Sequence, residues 1–540
     1  MSQQYVTSAP VLVQRGGALA LVLDGSPFLV LGGELHNSSS SSERSIRRAI
    51  DRVDGFGLNT VLAPVAWSQF EPREGAFDFS LIDALLSVSR EKRVRLIPLW
   101  FGAWKNGRST YMPPWVRADS ARFPRAELSS GEHLENLSPF SLNVREADAR
   151  AFSALMRHLR EVDSEARTVI MVQVENEVGL LGDSRDRSAL ASAQFTAPVP
   201  EQVFTALEAY PDTRIGAAWE DRGRPRHGTW QAAFGESVDT DEAFMVAAYA
   251  AHLEAVTAAG KAEYDVPMFA NAWLYTELNT AEGTPAGGQT PGVYPSGGPL
   301  PHVAGIWTTV APTIDLLVPD VYFGDFAKIC GDFRAASGGL FIPEMRRDEG
   351  GLADAFVAVG TFKAIGVSPF GIDSTDTSEC VVLADAYRIL RTLGDRVWLD
   401  ETVGVHLHED HSEEQVVLGD FVISVRREAN GAAGYVEHGY GMLIREGYGE
   451  FLVAGRGLRL YFRTTDGRQA EIVSVEELPG GASEDDVLRS LNGDETDSGT
   501  VVKLHALPRS YNVEGYQIPT DRRSEGVLRV RVAAPPLRAD

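Results

Sequence analysis

The chain has 540 residues, of which 44% are hydrophobic and 23% are charged. These values are typical of a folded globular protein with two to four domains, and they exclude a small single domain or a disordered chain. Lysine and arginine number 50 against 75 aspartate and glutamate, so the formal net charge is 50 − 75 = −25, which argues against nucleic acid or anionic lipid as a partner.

The first apolar segment, residues 17–23, follows Arg15 and is stopped by Asp24 without a signal-peptide cleavage pattern. We expect it to form a strand in a cytoplasmic protein. The two cysteines, Cys330 and Cys380, are too few for a disulfide scaffold and fit a reducing compartment. No apolar run approaches the roughly 20 residues of a membrane span, so no membrane partner is expected.

Between residues 27 and 394, short aliphatic runs alternate with amphipathic stretches of helical period, which is typical of repeated βα units. The predicted strands are residues 28–33, 59–67, 94–100, 168–177, 266–273, 316–322, 340–344 and 367–373. The predicted helices include residues 43–53, 80–92, 145–162, 241–259, 352–364 and 384–392. This count predicts an α/β fold, a (β/α)8 or TIM barrel, in a catalytic domain of residues 1–395 with an N-terminal strand extension. A doubly wound sheet is disfavoured because the first strand is not followed by a glycine-rich phosphate loop.

After Trp398 the chain consists of short segments of alternating hydrophobicity separated by turn residues. The predicted strands are residues 415–426, 435–444, 450–462, 469–475, 501–507 and 526–532. This pattern predicts a smaller antiparallel β-sandwich domain over residues 396–540.

Two predicted barrel strands change from apolar to polar at their carboxyl ends, where the active sites of such barrels lie. The fourth strand ends in Glu177 and the seventh in Glu344. Strands four and seven face each other across a barrel mouth, so both carboxyl groups are expected to enter one cavity. The alternative is that each glutamate forms a salt bridge or a cap at the end of its strand. The location of the pair at the ends of strands four and seven favours a catalytic role.

A pair of carboxyl groups can hydrolyse an acetal. One protonates the leaving oxygen, and the other attacks the anomeric carbon or activates water. In the retaining reaction the two groups lie roughly 5 to 5.5 Å apart, and the ionised nucleophile keeps the acid protonated near neutral pH.

Several motifs resemble clan A glycoside hydrolases, and specifically glycoside hydrolase family 35, the β-galactosidases. They are residues 173–179 (QVENEVG), residues 55–61 (GFGLNTV), Trp67, residues 71–79 (EPREGAFDF) and residues 113–115 (PPW). The resemblance covers roughly residues 20–395. The C-terminal part is similar to a β domain of undescribed function appended to a bacterial branch of that family.

The resemblance implies that Glu177 is the acid/base, that Glu344 is the nucleophile and that Asn176 binds the sugar's 2-hydroxyl. The chain also departs from the family pattern. The alanine-glutamate-tryptophan run that contacts galactose is replaced by residues 99–107 (LWFGAWKNG), and Pro64 stands where the family has a tyrosine. Retaining β-glycosidase chemistry is therefore better supported than the preference for galactose.

Other candidate site residues follow from strand-end positions. Tyr322 ends the sixth strand, where clan members place a tyrosine that bonds the nucleophile. Trp67, Trp104 and Trp273 are predicted to stack on sugar rings, although each could be core packing. The polar candidates for sugar hydroxyls are Glu34, Lys105, Asn106, Glu175 and Asn271.

No cofactor is expected, because the chain has no phosphate-binding or dinucleotide motif. Residues 406–411 (HLHEDH) lie beyond the barrel and lack the H-E-x-x-H order, so no metal is expected there. The predicted function is an exo-acting retaining β-glycosidase, by family default a β-galactosidase, acting on an oligosaccharide or glycoside. The alternatives are a transglycosylase or β-glucosidase with the same glutamates, or a non-catalytic glycan-binding barrel. The acidic surface and the extra domain are compatible with a homo-oligomer.

Overall fold

The computed structural model describes residues 9–275, 288–429, 435–479, 486–506, 509–513, 516–521 and 523–534. The chain begins with a three-stranded antiparallel sheet of β1 (Val11–Arg15), β2 (Ala18–Leu23) and β3 (Ser26–Pro27). The expected strand at residues 17–23 is thus confirmed as β2.

Eight parallel strands then form a barrel, which confirms the predicted fold class. They are β4 (Val30–Leu31), β5 (Thr60–Ala66), β6 (Arg95–Lys105), β9 (Val172–Asn176), β10 (Met268–Trp273), β11 (Leu316–Val321), β12 (Ile342–Met345) and β13 (Gly366–Pro369). The sheet closes where Gly33 and Leu35, just after β4, exchange backbone hydrogen bonds with Leu62 of β5. A small antiparallel pair, β7 (Arg125–Glu127) and β8 (His133–Leu137), projects from the loop after β6.

The barrel interior is filled by aliphatic and aromatic side chains. One buried cluster contains Leu62, Leu99, Phe269 and Val318 from four strands, together with Leu21 of β2. The N-terminal sheet therefore closes the end of the barrel opposite the mouth. Strands that are buried on both faces need near-continuous apolar runs, which is why the sequence pattern located all eight.

The helices surround this sheet. They are α1 (Glu43–Val53), α2 (Trp67–Phe70), α3 (Ser80–Lys92), α4 (Pro114–Ala118), α5 (Leu142–Asp163), α6 (Ala189–Phe195), α7 (Glu201–Ala209), α8 (Arg214–Asp221), α9 (Trp230–Phe234), α10 (Val238–Glu263), α11 (Ala304–Val310), α12 (Phe326–Ser337), α13 (Glu349–Gly360) and α14 (Thr377–Leu393). The predictions for α1 and α3 are correct to the residue. Ser42 and Ser45 form a reciprocal capping box that starts α1.

One helix, α10, has the length and apolar composition of a membrane-spanning helix, a feature that the sequence pattern did not reveal. Within its most apolar window, 67% of the residues are buried inside the protein. The helix packs against α5, and its Phe244 ring stacks on Phe140 at 4.4 Å between ring centres. In this structure α10 is a core helix of the barrel domain.

The C-terminal part is an antiparallel β domain, as predicted. Its strands are β14 (Thr402–Leu407), β15 (Glu413–Leu418), β16 (Phe421–Arg427), β17 (Gly439–Gly447), β18 (Glu450–Arg456), β19 (Leu458–Thr464), β20 (Glu471–Glu477), β21 (Arg489–Leu491), β22 (Val502–Leu504), β23 (Arg509–Val513), β24 (Tyr516–Asp521) and β25 (Val527–Ala533). A six-stranded and a four-stranded sheet share one core. The single strands predicted at residues 415–426 and 450–462 are wrong, because Gly419 and Gly457 have positive φ and turn each segment into two strands.

The β domain packs tightly on α13 and α14 of the barrel. Phe356 lies 5.1 Å from Tyr440 between ring centres, and Gly404 is so close to the backbone of Phe356 that a Cβ atom would meet its carbonyl oxygen. Asp385 of α14 receives two hydrogen bonds from Arg456 of β18, at 2.7 and 2.9 Å, and both side chains are largely buried. The boundary predicted at residues 395/396 falls in the short turn between α14 and β14.

We expect Asp385→Asn to destabilise the protein by about 3 kcal/mol, because it leaves the buried Arg456 guanidinium without its counter-charge. Although burial acts in the other direction, hydrogen bonds from Arg456 and Arg388 lower the pKa of Asp385 to about 2. The stabilisation is therefore present above about pH 4 and is lost as the pH falls towards 2.

The measurement is the urea concentration at the midpoint of unfolding, determined at pH 7 and pH 3 for the wild type, for Asp385→Asn and for a control variant. Asp332→Asn is the control, because its pair with Lys328 is exposed and contributes less than about 0.5 kcal/mol. Equal midpoints for Asp385→Asn and the control at pH 7 would contradict the role of this ion pair.

Candidate active site

The carboxyl ends of the barrel strands bring the two predicted glutamates into one buried site. Glu177 follows β9 and Glu344 lies in β12, and their exposed fractions are 8% and 5%. The side chain of Asn176, next to Glu177, donates to Glu344 Oε1 at 3.3 Å. The charge of Glu344 also acts directly on the Glu177 carboxyl. The structure thus places both carboxyl groups around one space.

Glu177 is held in an unusual backbone conformation, with a φ of +45°. Its amide donates to Asn271 Oδ1 at 2.9 Å, which fixes the turn after β9. Burial and then the charge of Glu344 raise the pKa of Glu177 to about 7, although Lys105 acts in the opposite direction. This carboxyl group is therefore mostly protonated below about pH 7.

Glu344 accepts a side-chain hydrogen bond on each of its two carboxyl oxygens. The hydroxyl of Tyr322 donates to its Oε2 at 2.8 Å, and Asn176 donates to its Oε1. Burial and the charge of Glu344 raise the pKa of Tyr322, so the tyrosine remains a hydrogen-bond donor. These two hydrogen bonds fix the orientation of the Glu344 carboxyl group.

Lys105 and Glu34 complete the inner ring of the site. Lys105 Nζ donates to Asn176 Oδ1 at 3.0 Å and lies 4.8 Å above the Phe101 ring. Burial lowers the pKa of Lys105, but the charges of Glu344, Glu177 and Glu34 outweigh burial and raise it overall. Glu34 is fully buried, and neither of its carboxyl oxygens has a hydrogen-bond partner among the described residues. Burial and the charge of Glu344 raise the pKa of Glu34 well above the ordinary value.

Asp320 is a member of this site that the sequence analysis missed. It lies opposite Glu344 in the pairing of β11 with β12 and accepts from Asn271 Nδ2 at 2.6 Å. Burial and the charge of Glu344 raise its pKa well above the ordinary value. A signal was present in the sequence, because Asp320 is two residues before Tyr322 and alternate residues of a strand share a face.

Trp67 and Trp104 were predicted to stack on sugar rings, and the structure corrects this prediction. Trp67 is fully buried, and its indole N–H donates to Glu71 at 2.8 Å. Trp104 has an exposed fraction of 1%, and its N–H donates to the carbonyl of Leu137 at 3.1 Å. Enclosed rings whose polar edges are already bound cannot stack on a ligand.

Glu175 also lies outside the mouth. Its carboxylate accepts the backbone N–H groups of Ala103 and Trp104 at 3.0 and 2.7 Å, behind β9. There it adjoins the buried pair of Asp148 and His252, whose side chains are 2.9 Å apart. Burial and Asp148 raise the pKa of Glu175 well above the ordinary value. These contacts show that Glu175 fixes the backbone around the site and does not bind a sugar as predicted.

The remaining candidates lie at the mouth. Trp273 ends β10 opposite Asp320 and is partly exposed. Asn106 donates its amide to the carbonyl of Asn176 at 3.2 Å, and its side-chain oxygen is buried without a partner in the described part of the chain. Asn271 joins Glu177 to Asp320 through its two amide atoms.

The arrangement defines a class of site. A parallel eight-stranded barrel carries a carboxyl group of raised pKa after its fourth strand and a hydrogen-bonded carboxyl group on its seventh. Such a pair can donate a proton to one side of an acetal and attack the other. The side-chain oxygens of Glu34 and Asn106, which have no partner among the described residues, provide acceptors for hydroxyl groups of a ligand.

The comparisons with known proteins agree with this class. Residues 20–93 match the family model "Glycosyl hydrolases family 35", and residues 383–503 match "Domain of unknown function (DUF5597)". The resemblance to family 35 inferred from the motifs is thereby confirmed.

Curated relatives include "Beta-galactosidase 8" of Oryza sativa subsp. japonica, 29% identical over 30% of this chain and 23% of that protein. "Beta-galactosidase 17" of Arabidopsis thaliana is 31% identical over 30% of this chain and 22% of that protein. The chain thus spans about a quarter of the length of these relatives. Among solved structures, the catalytic domain of a β-amylase from Paenibacillus polymyxa matches with a TM-score of 0.48 and 14% identity, over 66% of this chain and 96% of that one.

We expect the Glu177 carboxyl group to titrate near pH 7, and we expect two variants to move its pKa in opposite directions. Glu344→Gln removes a negative charge and should lower the pKa of Glu177, whereas Lys105→Met removes a positive charge and should raise it. The measurement is carbon NMR of the glutamate carboxyl groups, assigned by loss of the signal in Glu177→Gln. A wild-type pKa near the ordinary value of about 4.3 would contradict this description of the site.

Proposed function

We propose that the protein is an exo-acting retaining β-glycosidase that removes terminal β-galactose from a glycoside or oligosaccharide. The observation that carries this proposal is the contrast between the two facing glutamates. The pKa of Glu177 is raised to about 7, and Glu344 accepts hydrogen bonds from Tyr322 and Asn176 on its two carboxyl oxygens. A retaining glycosidase needs this pairing of an acid with a nucleophile.

In the first step, a carboxylate oxygen of Glu344 attacks the anomeric carbon of the sugar. The bond to the leaving oxygen breaks, and Glu177 transfers its proton to that oxygen. The products of this step are a glycosyl ester on Glu344, an ionised Glu177 and the free leaving group. As Glu344 loses its charge, one of the two influences that raise the pKa of Glu177 disappears and burial alone remains, which favours the base form that the second step needs.

In the second step, Glu177 accepts a proton from water, and the water oxygen attacks the same anomeric carbon. The ester bond breaks and Glu344 again becomes a carboxylate. Two displacements at one carbon restore its original configuration. Tyr322 and Asn176 act as donors to Glu344 before and after the cycle, because each is already placed within hydrogen-bond distance.

Galactose is proposed from the curated relatives, which are named as β-galactosidases. The family's usual galactose-binding glutamate is missing after β6, where Lys105 and Asn106 stand instead. Both carboxyl oxygens of Glu34 lack a partner among the described residues, and Glu34 is the group that we propose to replace it as hydroxyl acceptor. Trp273 is the proposed stacking surface, and Asn176 the proposed partner of the 2-hydroxyl.

Two alternatives use the same site. A transglycosylase or a β-glucosidase would share both glutamates and differ only in acceptor or in epimer. A non-catalytic glycan-binding barrel is less consistent with the site, because burying opposed carboxyl groups costs stability and serves no binding purpose. We also propose a cytoplasmic location with no nucleic-acid or membrane partner, which the free thiols of Cys330 and Cys380 and the net charge of −25 support.

The proposal is tested with a panel of 4-nitrophenyl glycosides. We expect release of nitrophenol from the β-galactoside to exceed that from the β-glucoside and from the α-anomers, with β-galactose as the first product seen by proton NMR. No release from the β-galactoside would overturn the choice of sugar. A first product of inverted configuration would overturn the mechanism.

Glu344→Gln should lower kcat by about three powers of ten or more, because an amide cannot form the glycosyl ester. Glu220→Gln is the control, since Glu220 pairs with Arg224 on an exposed surface of α8 and should leave kcat unchanged. Normal turnover by a folded Glu344→Gln protein would show that another group is the nucleophile.

A further inference from the structure

A groove of about 1080 Å³ lies between the barrel and the β domain. One wall is formed by the start of α12 and by α13, and the other by residues of the β domain that include His406, Tyr435 and His438. Pockets of roughly 300 to 1,000 Å³ hold most small ligands, so this groove has room for a ligand larger than a single sugar.

The groove begins beside the proposed catalytic residues. Gly324 and Asp325 line it, and they follow Tyr322 on the loop after β11. Arg346 also lines it and follows Glu344 by two residues, after β12. Because two residues of extended chain span at most about 7 Å, the loops that carry the nucleophile and its tyrosine continue directly into the groove wall.

The β domain is fixed against these loops. A Cβ atom on Gly350, in the first turn of α13, would meet Arg346 Nη2 at 2.9 Å and His438 Cε1 at 3.2 Å. The catalytic loop and the β domain therefore approach each other over this glycine. A chain of hydrogen bonds joins the same elements, because His406 lies 2.8 Å from Asp354 of α13 and 3.0 Å from His438.

This chain of hydrogen bonds sets which atoms donate and which accept. When both imidazoles are neutral, His406 Nδ1 donates to Asp354 and His438 Nδ1 donates to His406 Nε2, so the lone pair of His438 lies on Nε2. Burial, and then the charge of His406, lower the pKa of His438, so its neutral form predominates at pH 7. His438 thus offers a hydrogen-bond acceptor in the groove wall.

Exposed aromatic side chains lie towards both ends of the groove. Tyr435, on the β-domain wall, is 60% exposed, and the Arg427 guanidinium lies 5.1 Å from the centre of its ring. Phe323, which directly precedes Gly324 at the catalytic end, is 51% exposed. Aromatic rings of this kind can stack on the apolar C–H faces of sugar rings.

The charges of the groove discriminate between classes of ligand. Among the described residues that line it, four carry a carboxyl group and two carry a guanidinium group: Asp325, Asp354, Glu409, Glu437, Arg346 and Arg427. The excess of negative charge disfavours an anionic ligand. A mixture of donors and acceptors beside aromatic rings suits the hydroxyl groups of a neutral sugar.

We propose that this groove binds the neutral oligosaccharide that is joined to the leaving oxygen of the substrate, with Tyr435 stacking on a sugar ring and Arg346, Glu437 and His438 bonded to hydroxyl groups. This inference rests on the proposed function, because it extends the substrate of the same site. It gives the β domain a role in the choice of substrate.

The test is a calorimetric titration of the full-length protein with cellotetraose, xylotetraose and mannotetraose, and with tetragalacturonic acid as the anionic comparison. We expect at least one neutral tetrasaccharide to bind at one site per chain with a Kd below about 1 mM, and the acid not to bind. Tyr435→Ala should weaken that binding about tenfold, by loss of the stacking surface. Glu437→Gln, at a side chain that is 86% exposed, should weaken it by a smaller factor.

Tyr448→Ala is the matched control, because Tyr448 is 66% exposed in the same domain and is not among the described residues that line the groove. Circular dichroism establishes that each variant is folded. The proposal would be overturned if no neutral tetrasaccharide gave saturable binding up to about 10 mM, if the acid bound more tightly, or if Tyr435→Ala and Tyr448→Ala had equal effects.

These titrations need no turnover, because the tetrasaccharides carry no galactose. Absence of activity on galactosides would therefore reject the proposed function without changing the binding result. Absence of binding by a protein that cleaves 4-nitrophenyl β-galactoside would reject the groove alone.

Discussion

The barrel mouth buries four carboxyl groups around one ammonium group, and the chemistry of the site depends on this imbalance. Glu34, Glu177, Asp320 and Glu344 all influence one another and Lys105. Because the charges cannot all be compensated in a buried space, some of the carboxyl groups must hold protons. Tyr322 and Asn176 donate hydrogen bonds to Glu344, and burial together with the charge of Glu344 raises the pKa of Glu177 to about 7.

The backbone around β9 is strained in this arrangement. Glu175, Glu177 and Asn106 all have positive φ, which costs of order 1 kcal/mol or more for each residue. Along the pair of β6 and β9, the chain advances five residues from Trp100 to Lys105 while the partner advances from Val174 to Asn176. Gly102 allows this bulge, because a Cβ atom there would meet the Glu175 carboxylate at 2.3 Å. The buried Glu175, Asp148 and His252 then hold the bulge from behind.

The sequence predicted the parts of the fold that depend on regular periodicity. The eight barrel strands and α1 follow from apolar runs and helical spacing, and Glu177 and Glu344 follow from their positions at strand ends. Trp104 and Glu175 could not be placed, because the bulge in β6 breaks the alternation on which such predictions depend. Asp320 was accessible by alternation from Tyr322.

The central claim is that Glu344 forms a covalent bond with the sugar while Glu177 serves as the acid. The most direct measurement is mass spectrometry of the protein after reaction with a 2-deoxy-2-fluoro-β-galactoside that carries a good leaving group. The fluorine slows both steps, and the good leaving group speeds formation of the ester but not its release, so the ester accumulates. The account predicts one fluorogalactosyl unit per chain, on the peptide that contains Glu344. A folded, active protein that carries the label on Glu34 or Asp320, or that turns over without any label, would contradict it.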